Sequence, residues 1–148
     1  MREPGGLKFD QFEIGTLFES QARTVTEADV VVFAGLSGDF NPLHTDEEFA
    51  KTTPFGERIA HGSLIQAMAT GMANWLGIFE GTVIALMEQT VQYKKPVKFG
   101  DTIHFQMEVL EKKPTSKPDR GVVIFAARVI NQKDEVVQEG VWTLMMKN

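Results

Sequence analysis

The pattern of hydrophobic and polar positions changes character in the middle of the chain. Residues 103–109 alternate apolar with polar side chains, which is the two-residue repeat of a half-buried strand. Residues 90–93 alternate in the same way, and residues 122–130 and 136–146 form longer runs rich in apolar side chains. Turn-forming residues separate these runs at 99–101, 114–121 and 131–135. The second half therefore predicts consecutive antiparallel strands, and residues 16–25 are a candidate for one more.

The first half of the chain indicates helices and loops. Thr26 is followed by two acidic residues in the next three positions, which is typical of a helix start, and that helix is expected to end near Gly38. Pro42 and Pro54 interrupt the segment that follows, so only a short helix over Asp46–Lys51 fits between them.

A third helix is predicted over Ser63–Phe79, where apolar and small side chains occupy every side. A helix that is apolar all round is expected to be buried all round. A single antiparallel sheet would have to curl around this helix, which gives an α+β fold. The edges of such a sheet need cover, so we expect an oligomer.

Composition and charge limit the possible functions. A chain of 148 residues, 43% of them hydrophobic, is expected to form one domain over residues 1–148. The net charge of -5 argues against a nucleic-acid partner, and the absence of cysteine excludes disulfides and thiolate catalysis. Met1–Lys8 has no apolar run of the kind a secretory signal needs, so a cytoplasmic location is expected. Polar side chains within 64–79 argue against a membrane span.

Residues 37–63 carry the candidate chemistry. Asp39 and His44 lie five positions apart around Pro42, so their side chains could converge on one water molecule for acid and base catalysis. The same spacing fits an alternative in which Asp39 only closes a turn with Asn41 and His44 only begins a helix. The spacing favours neither interpretation.

The residues FAGLSGDFNPLH at 33–44, followed by Ala60-His61-Gly62, resemble the signature of the MaoC-like hydratases, the (R)-specific enoyl-CoA hydratase group. Weaker resemblance extends to residues 12–15, 24–30 and 96–102. The resemblance implies a hot-dog fold, which is an antiparallel sheet wrapped around a long central helix, working as a homodimer or a dimer of dimers. It also implies hydration of trans-2-enoyl-CoA to (R)-3-hydroxyacyl-CoA, a reversible reaction of fatty acid metabolism.

The resemblance assigns roles to individual positions. Asp39 would take a proton from water, His44 would hold that water and exchange the proton at the α-carbon, and the Gly62 amide would bind the thioester oxygen. Thr70 stands where relatives often have a serine near the catalytic aspartate. Substrate-binding or supporting roles are expected for Asn41, His61 and Ser63. No cofactor is implied beyond the coenzyme A thioester that serves as substrate.

Several of these positions have simpler interpretations. Ser63 is expected to be the N-cap of its helix rather than a nucleophile. His61 either lines the pocket or bonds the backbone where loop meets helix. The three histidines have no closely spaced carboxylate in sequence, which argues against a metal site. The basic cluster Lys94, Lys95 and Lys98 either meets coenzyme A phosphates or is simply solvated.

Two other functions fit the same residues. One keeps the reaction but takes a different thioester, such as a branched or dicarboxylic acyl-CoA or an acyl carrier protein. The other is a non-catalytic acyl-thioester-binding module with the same fold. The presence of both Asp39 and His44 favours an enzyme of the hydro-lyase class, because a binding module has little need of an acid and base pair.

Overall fold

A computed structural model describes residues 5–148. Of the N-terminal segment Met1–Lys8 considered above, residues 1–4 lie outside the described part of the chain. After a short 3-10 helix at Phe9–Gln11, the α-helices are α1 Glu27–Ser37, α2 Pro42–Thr45, α3 Glu47–Ala50 and α4 Gly62–Trp75. The strands are β1 Leu17–Glu19, β2 Arg23–Thr24, β3 Val83–Gln89, β4 Gln92–Tyr93, β5 Thr102–Pro114, β6 Arg120–Asn131 and β7 Val136–Lys147.

Within residues 5–148 the seven strands form one sheet with the order β1, β5, β6, β7, β3, and every pairing is antiparallel. β2 extends the β1 side by pairing with β5, and β4 extends the β3 side by pairing with β7. The α+β class predicted from the sequence is confirmed. Among residues 5–148, no helix is both long and apolar enough to cross a lipid bilayer.

Strand β5 shows why alternation predicted the sheet. Ile103, Phe105, Met107 and Val109 are at most 1% exposed, and the polar residues between them face away from the core. The strand continues to Pro114 and β6 starts at Arg120, so the turn predicted over 114–121 is shorter and leaves only residues 115–119 between the two strands. The prediction did not identify β3, whose residues are mostly exposed at the edge of the sheet and therefore carry no clear alternation.

Helix α4 packs one face on the sheet, burying Leu64, Ile65, Met68, Ala69, Met72 and Ala73. Its opposite face is exposed at Ala67, Thr70, Gly71, Asn74 and Trp75. The prediction of burial on every side is therefore wrong within one chain, because the sheet covers only one side of the helix. The helix also ends earlier than expected, since Gly77 adopts a left-handed conformation with φ 73° and turns the chain away.

Helix α1 begins and ends as its sequence predicts. The Thr26 hydroxyl accepts from the Asp29 amide, and the Asp29 carboxylate accepts from the Thr26 amide. Gly38 closes the helix with φ 78° and donates to Ala34. The predicted short helix after Asp46 is present as α3, whereas the single-turn helix α2 before it was not predicted.

Candidate active site

The segment after α1 is folded by local hydrogen bonds of its own side chains. The Asn41 amide donates to Asp39 Oδ1 at 3.1 Å, and the Leu43 amide donates to Asn41 Oδ1 at the same distance. Pro42 then occupies the first position of α2, where its missing N–H costs nothing. Asp39 does close a turn with Asn41, as one interpretation of the sequence expected.

The same turn also brings the candidate acid and base groups together. One ligand-type atom from each of Asp39, His44 and His61 lies within 4.8 Å of the other two. Asp39 is exposed, His44 is half-buried, and His61 is only 2% exposed. The turn and the convergence are therefore not alternatives, because the turn is what produces the convergence.

The hydrogen bond of His44 defines which ring nitrogen is available. Its Nδ1 lies 2.7 Å from the carbonyl oxygen of Ile59, which has no proton to give. Nδ1 must therefore carry the proton and donate it, which leaves the lone pair of the neutral ring on Nε2. That nitrogen is the one that could exchange a proton with water.

His61 contacts both Asp39 and His44. Its Nε2 donates to the main-chain carbonyl of Asp39 at 2.9 Å. Its ring stacks on the His44 ring with centroids 3.9 Å apart and an angle of 30° between the planes. The sequence interpretation in which His61 bonds the backbone is the one that the structure bears out.

Imidazole and carboxylate are both ligand types that zinc accepts. The sequence argued against a metal site because no carboxylate is closely spaced from the histidines along the chain, but the fold brings Asp39 close to His44 and His61. The ring arrangement nevertheless disfavours a shared metal ion. Imidazole lone pairs lie in the plane of the ring, and two stacked rings direct them along nearly parallel planes. The absence of a metal remains a prediction on these geometric grounds.

Helix α4 begins one residue after His61, which is its N-cap. The prediction that Ser63 is the N-cap is wrong, because Ser63 is the second residue of the helix and its side chain is exposed. Within residues 5–148, the amides of Gly62 and Ser63 take part in no hydrogen bond. They lie at the positive end of the helix dipole and are free to bind an oxygen that gains negative charge.

A cavity of about 310 Å³ adjoins Gly62. Apolar side chains such as Ile59, Ile65 and Val97 line it, whereas Asp39, His44 and His61 do not. The buried Gln138 also borders it and donates from Nε2 to the Gly62 carbonyl at 2.9 Å. A side chain at position 62 would clash, since a Cβ there would lie 2.5 Å from Cε1 of Tyr93.

Thr70 is not brought to this cluster within one chain. It lies eight residues beyond Gly62, which is about 12 Å along a helix. Its hydroxyl donates to the Gln66 carbonyl at 3.2 Å, and its side chain is exposed. Any contact between Thr70 and an Asp39 carboxylate would require a second copy of the chain.

Arg58 is a structural residue that the sequence did not single out. It donates to Glu27 at the start of α1 (2.8 Å) and to Glu47 at the start of α3 (2.5 Å). The hydrogen bond to Glu27 is the main reason that the pKa of Arg58 is raised above its ordinary value. These ion pairs join the starts of α1 and α3, the two helices on either side of the segment that carries Asp39 and His44.

The basic cluster at 94–98 is not free of partners. Lys94 pairs with Glu139 at 3.2 Å, Lys95 pairs with Glu135, and Lys98 lies 3.6 Å from Glu57. These carboxylates offset much of the positive charge, which weakens the case for phosphate binding. Contact with coenzyme A phosphates stays a prediction.

Comparison with known proteins identifies the family of the chain. The family model described as "MaoC like domain" matches residues 10–129. A 3-hydroxybutyryl-CoA dehydratase of Methylorubrum extorquens is 36% identical over 135 residues, which cover 90% of this chain and 80% of that protein. The unliganded structure of an R-hydratase of Pseudomonas aeruginosa has a TM-score of 0.81 at 36% identity, covering 95% of this chain and 86% of that one.

A Mycobacterium tuberculosis protein with a double hot-dog fold has a TM-score of 0.85 at 20% identity, covering 99% of this chain and 46% of that one. At that identity the similarity shows the fold alone, and it confirms the predicted hot-dog fold. The dehydratase and hydratase relatives confirm the prediction of an enzyme of the hydro-lyase class. The chain belongs to the MaoC-like domain family.

Proposed function

We propose that this enzyme adds water to the double bond of a trans-2-enoyl-CoA thioester to give the (R)-3-hydroxyacyl-CoA, and catalyses the reverse dehydration. The observation that carries the proposal is the approach of Asp39, His44 and His61 to within 4.8 Å of one another beside the free amides of α4. An acid and base pair next to an oxyanion donor is what conjugate addition of water requires.

The proposed steps use groups whose positions are described above. A water molecule held between Asp39 and Nε2 of His44 loses a proton to one of them as its oxygen bonds to C3. The electron pair of the double bond moves toward the thioester carbonyl, whose oxygen gains negative charge and accepts from the Gly62 amide. A proton from the same pair then bonds to C2. The net change is the addition of one water molecule.

Crotonyl-CoA is the substrate for the direct test, because the absorbance of its conjugated double bond disappears on hydration. Asp39→Asn and His44→Ala are each expected to lower kcat by about 10² to 10⁴. Asp46→Asn is the matched control, since Asp46, like Asp39, accepts from a main-chain amide of this segment, in its case that of Phe49 at 3.0 Å. Its kcat should stay within about threefold of wild type because it bonds no reacting group.

Three outcomes would contradict the proposal. Wild type that leaves crotonyl-CoA and medium-chain enoyl-CoA unchanged would favour another thioester, including one carried by an acyl carrier protein. Full activity in both site variants would place the reaction elsewhere. Chiral analysis that finds the (S) product would contradict the stereochemistry alone.

We further propose that the working enzyme is at least a homodimer, in which a second copy covers the exposed face of α4 and the neighbouring edge strand β3. No strand among residues 5–148 pairs with its outer side, and Leu86 and Met87 on it are 49% and 54% exposed. Trp75, at the end of α4, is 46% exposed. Large apolar side chains gathered at an open sheet edge are typical of a surface that pairs with another chain.

Leu86→Lys tests this assembly, since a charge at the edge would oppose pairing. The variant is expected to sediment as a monomer where wild type is larger. Ile14→Lys is the control, because Ile14 is 66% exposed and precedes β1 at the opposite side of the sheet. A monomeric wild type, or an unchanged Leu86→Lys assembly, would contradict the proposed interface.

A further inference from the structure

His61 holds the N-cap position of α4 without capping the helix. N-caps are usually Ser, Thr, Asn or Asp, whose side-chain oxygen accepts from an amide of the first turn. His61 makes no such bond. Its Nε2 instead donates to the carbonyl of Asp39, 22 residues earlier in the chain. The helix start therefore keeps its amides free while the side chain that should cap it holds another segment.

Burial fixes the His61 ring in this position. It is 2% exposed and lies between the His44 ring, at 3.9 Å between centroids, and the edge of Phe33, at 4.9 Å. A ring packed on two sides has little freedom to rotate, so the Asp39 carbonyl is held at a defined distance from α4. The opposite nitrogen, Nδ1, is buried with no hydrogen-bond partner among residues 5–148.

The unpaired Nδ1 indicates that a histidine at position 61 does not serve the stability of the fold alone. A buried polar atom without a partner is unfavourable, and an ordinary capping residue would satisfy the helix better. Local features that cost stability tend to occur at functional sites. The same histidine is covalently joined to the Gly62 amide through its own carbonyl carbon.

We propose that His61 is a positioning residue that sets the distance between the acid and base pair and the oxyanion-binding amide of Gly62. Its Nε2 holds the main chain of Asp39, and the face of its ring packs on the ring of His44. Its own peptide bond carries the Gly62 N–H. The inference rests on the proposed hydration, because it concerns the geometry of that reaction and not binding of substrate. Small errors in such a geometry are known to lower rates by about 10².

His61→Asn and His61→Gln form a matched pair that isolates the bond to Asp39. Both replace the ring by a carboxamide, but only Gln is long enough to place an N–H donor near the position of Nε2. Asn has the opposite advantage, because it is a strong N-cap residue. The proposal predicts that Gln keeps kcat within about tenfold of wild type, whereas Asn loses about 100-fold, with KM changed less than about threefold in both.

Two further measurements separate positioning from a general structural role. Melting temperatures should not rank the variants as kcat does, because Asn caps α4 at least as well as Gln. Phe125→Leu is the stability control: Phe125 is fully buried between Phe12 and Phe79, so its loss should lower the melting temperature and leave kcat unchanged. A kcat for Asn equal to that of Gln, or a loss that appears in KM, would overturn the proposal.

Amide hydrogen exchange provides a readout that does not depend on the reaction. The Asn41 amide, which donates to Asp39 Oδ1, should exchange faster in His61→Asn than in His61→Gln. If wild type hydrates no enoyl-CoA while exchange differs in this way, the proposed function falls and the anchoring by His61 stands. If wild type is active and Asp39→Asn is not, but the two His61 variants match in rate and in exchange, only the His61 proposal falls.

Discussion

Helices α1 and α4 begin in opposite ways. At the start of α1, the Thr26 hydroxyl and the Asp29 carboxylate satisfy each other's main-chain amides. At the start of α4, the N-cap side chain points elsewhere and the amides of Gly62 and Ser63 donate to no described residue. A satisfied helix start contributes stability, whereas an open one costs some stability and leaves donors for a ligand. The difference supports the proposal that the start of α4, and not that of α1, takes part in the reaction.

Among changes at the two helix starts, removal of the open donor at Gly62 is expected to have the largest effect. Proline lacks an N–H but is favoured at the first position of a helix, and His61 before it has φ -58° and ψ 135°, which proline tolerates. Gly62→Pro should therefore preserve α4 while deleting the proposed oxyanion donor. The rate of crotonyl-CoA hydration is expected to fall by about 10² to 10³.

Gly62→Ala is the control that this experiment needs. Any Cβ at position 62 lies 2.5 Å from the Tyr93 ring, so both variants disturb that ring, but alanine keeps the N–H. The comparison of kcat between Pro and Ala therefore separates loss of the N–H donor from the effect of the added Cβ. Equal rates in the two variants would mean that the open amide of Gly62 has no part in the reaction.

The satisfied start of α1 should respond in stability and not in rate. Thr26→Ala removes the hydroxyl that accepts from the Asp29 amide, and is expected to lower the free energy of unfolding by about 1 kcal/mol. Thr26→Ser keeps that acceptor and should differ little from wild type. Urea denaturation measures the stability, and crotonyl-CoA hydration should show an unchanged kcat. A fall in kcat without a fall in stability would contradict this prediction, because it would give the start of α1 a part in the reaction.

The two helix starts also differ in how well the sequence predicts them. The start of α1 depends on residues three positions apart, and such local patterns can be identified directly. Ser63 offered a similar local signal in α4, but the observed N-cap is fixed by a bond from His61 to Asp39 across 22 residues. Sequence spacing carries no information on a contact of that kind.

Burial was also predicted well where it depends on a local pattern and poorly where it depends on distant parts of the fold. Alternation in β5 predicted its buried face, because a strand has only two faces and its sequence records both. The apolar sequence of α4 predicted burial on every side, but a helix sequence does not record how much of the helix its own sheet covers. The sheet covers one face and leaves the other exposed, and the edge strand β3 was not predicted.

The smallest expected effect concerns Asp29, the other half of the α1 start. Burial raises the pKa of this carboxyl group, but hydrogen bonds from Thr26 and the ion pair with Arg23 at 2.7 Å outweigh burial, and the pKa is lowered from 3.8. The carboxylate form is thus favoured in the folded state. Its contribution to stability is present above the unfolded pKa and is lost as the pH falls through the folded pKa.

Asp29→Asn tests this contribution without removing the acceptor for the Thr26 amide. At pH 6 the variant is expected to be less stable than wild type by no more than about 1 kcal/mol, because the ion pair with Arg23 is partly solvated. The difference in unfolding free energy between wild type and variant should be smaller at pH 3, because the Asp29 carboxylate of wild type begins to be protonated there. Urea unfolding at both pH values and one protein concentration measures it, since association would otherwise shift the midpoint. A gap that stays constant would show that the α1 start is stabilised by hydrogen-bond geometry and not by the charge of Asp29.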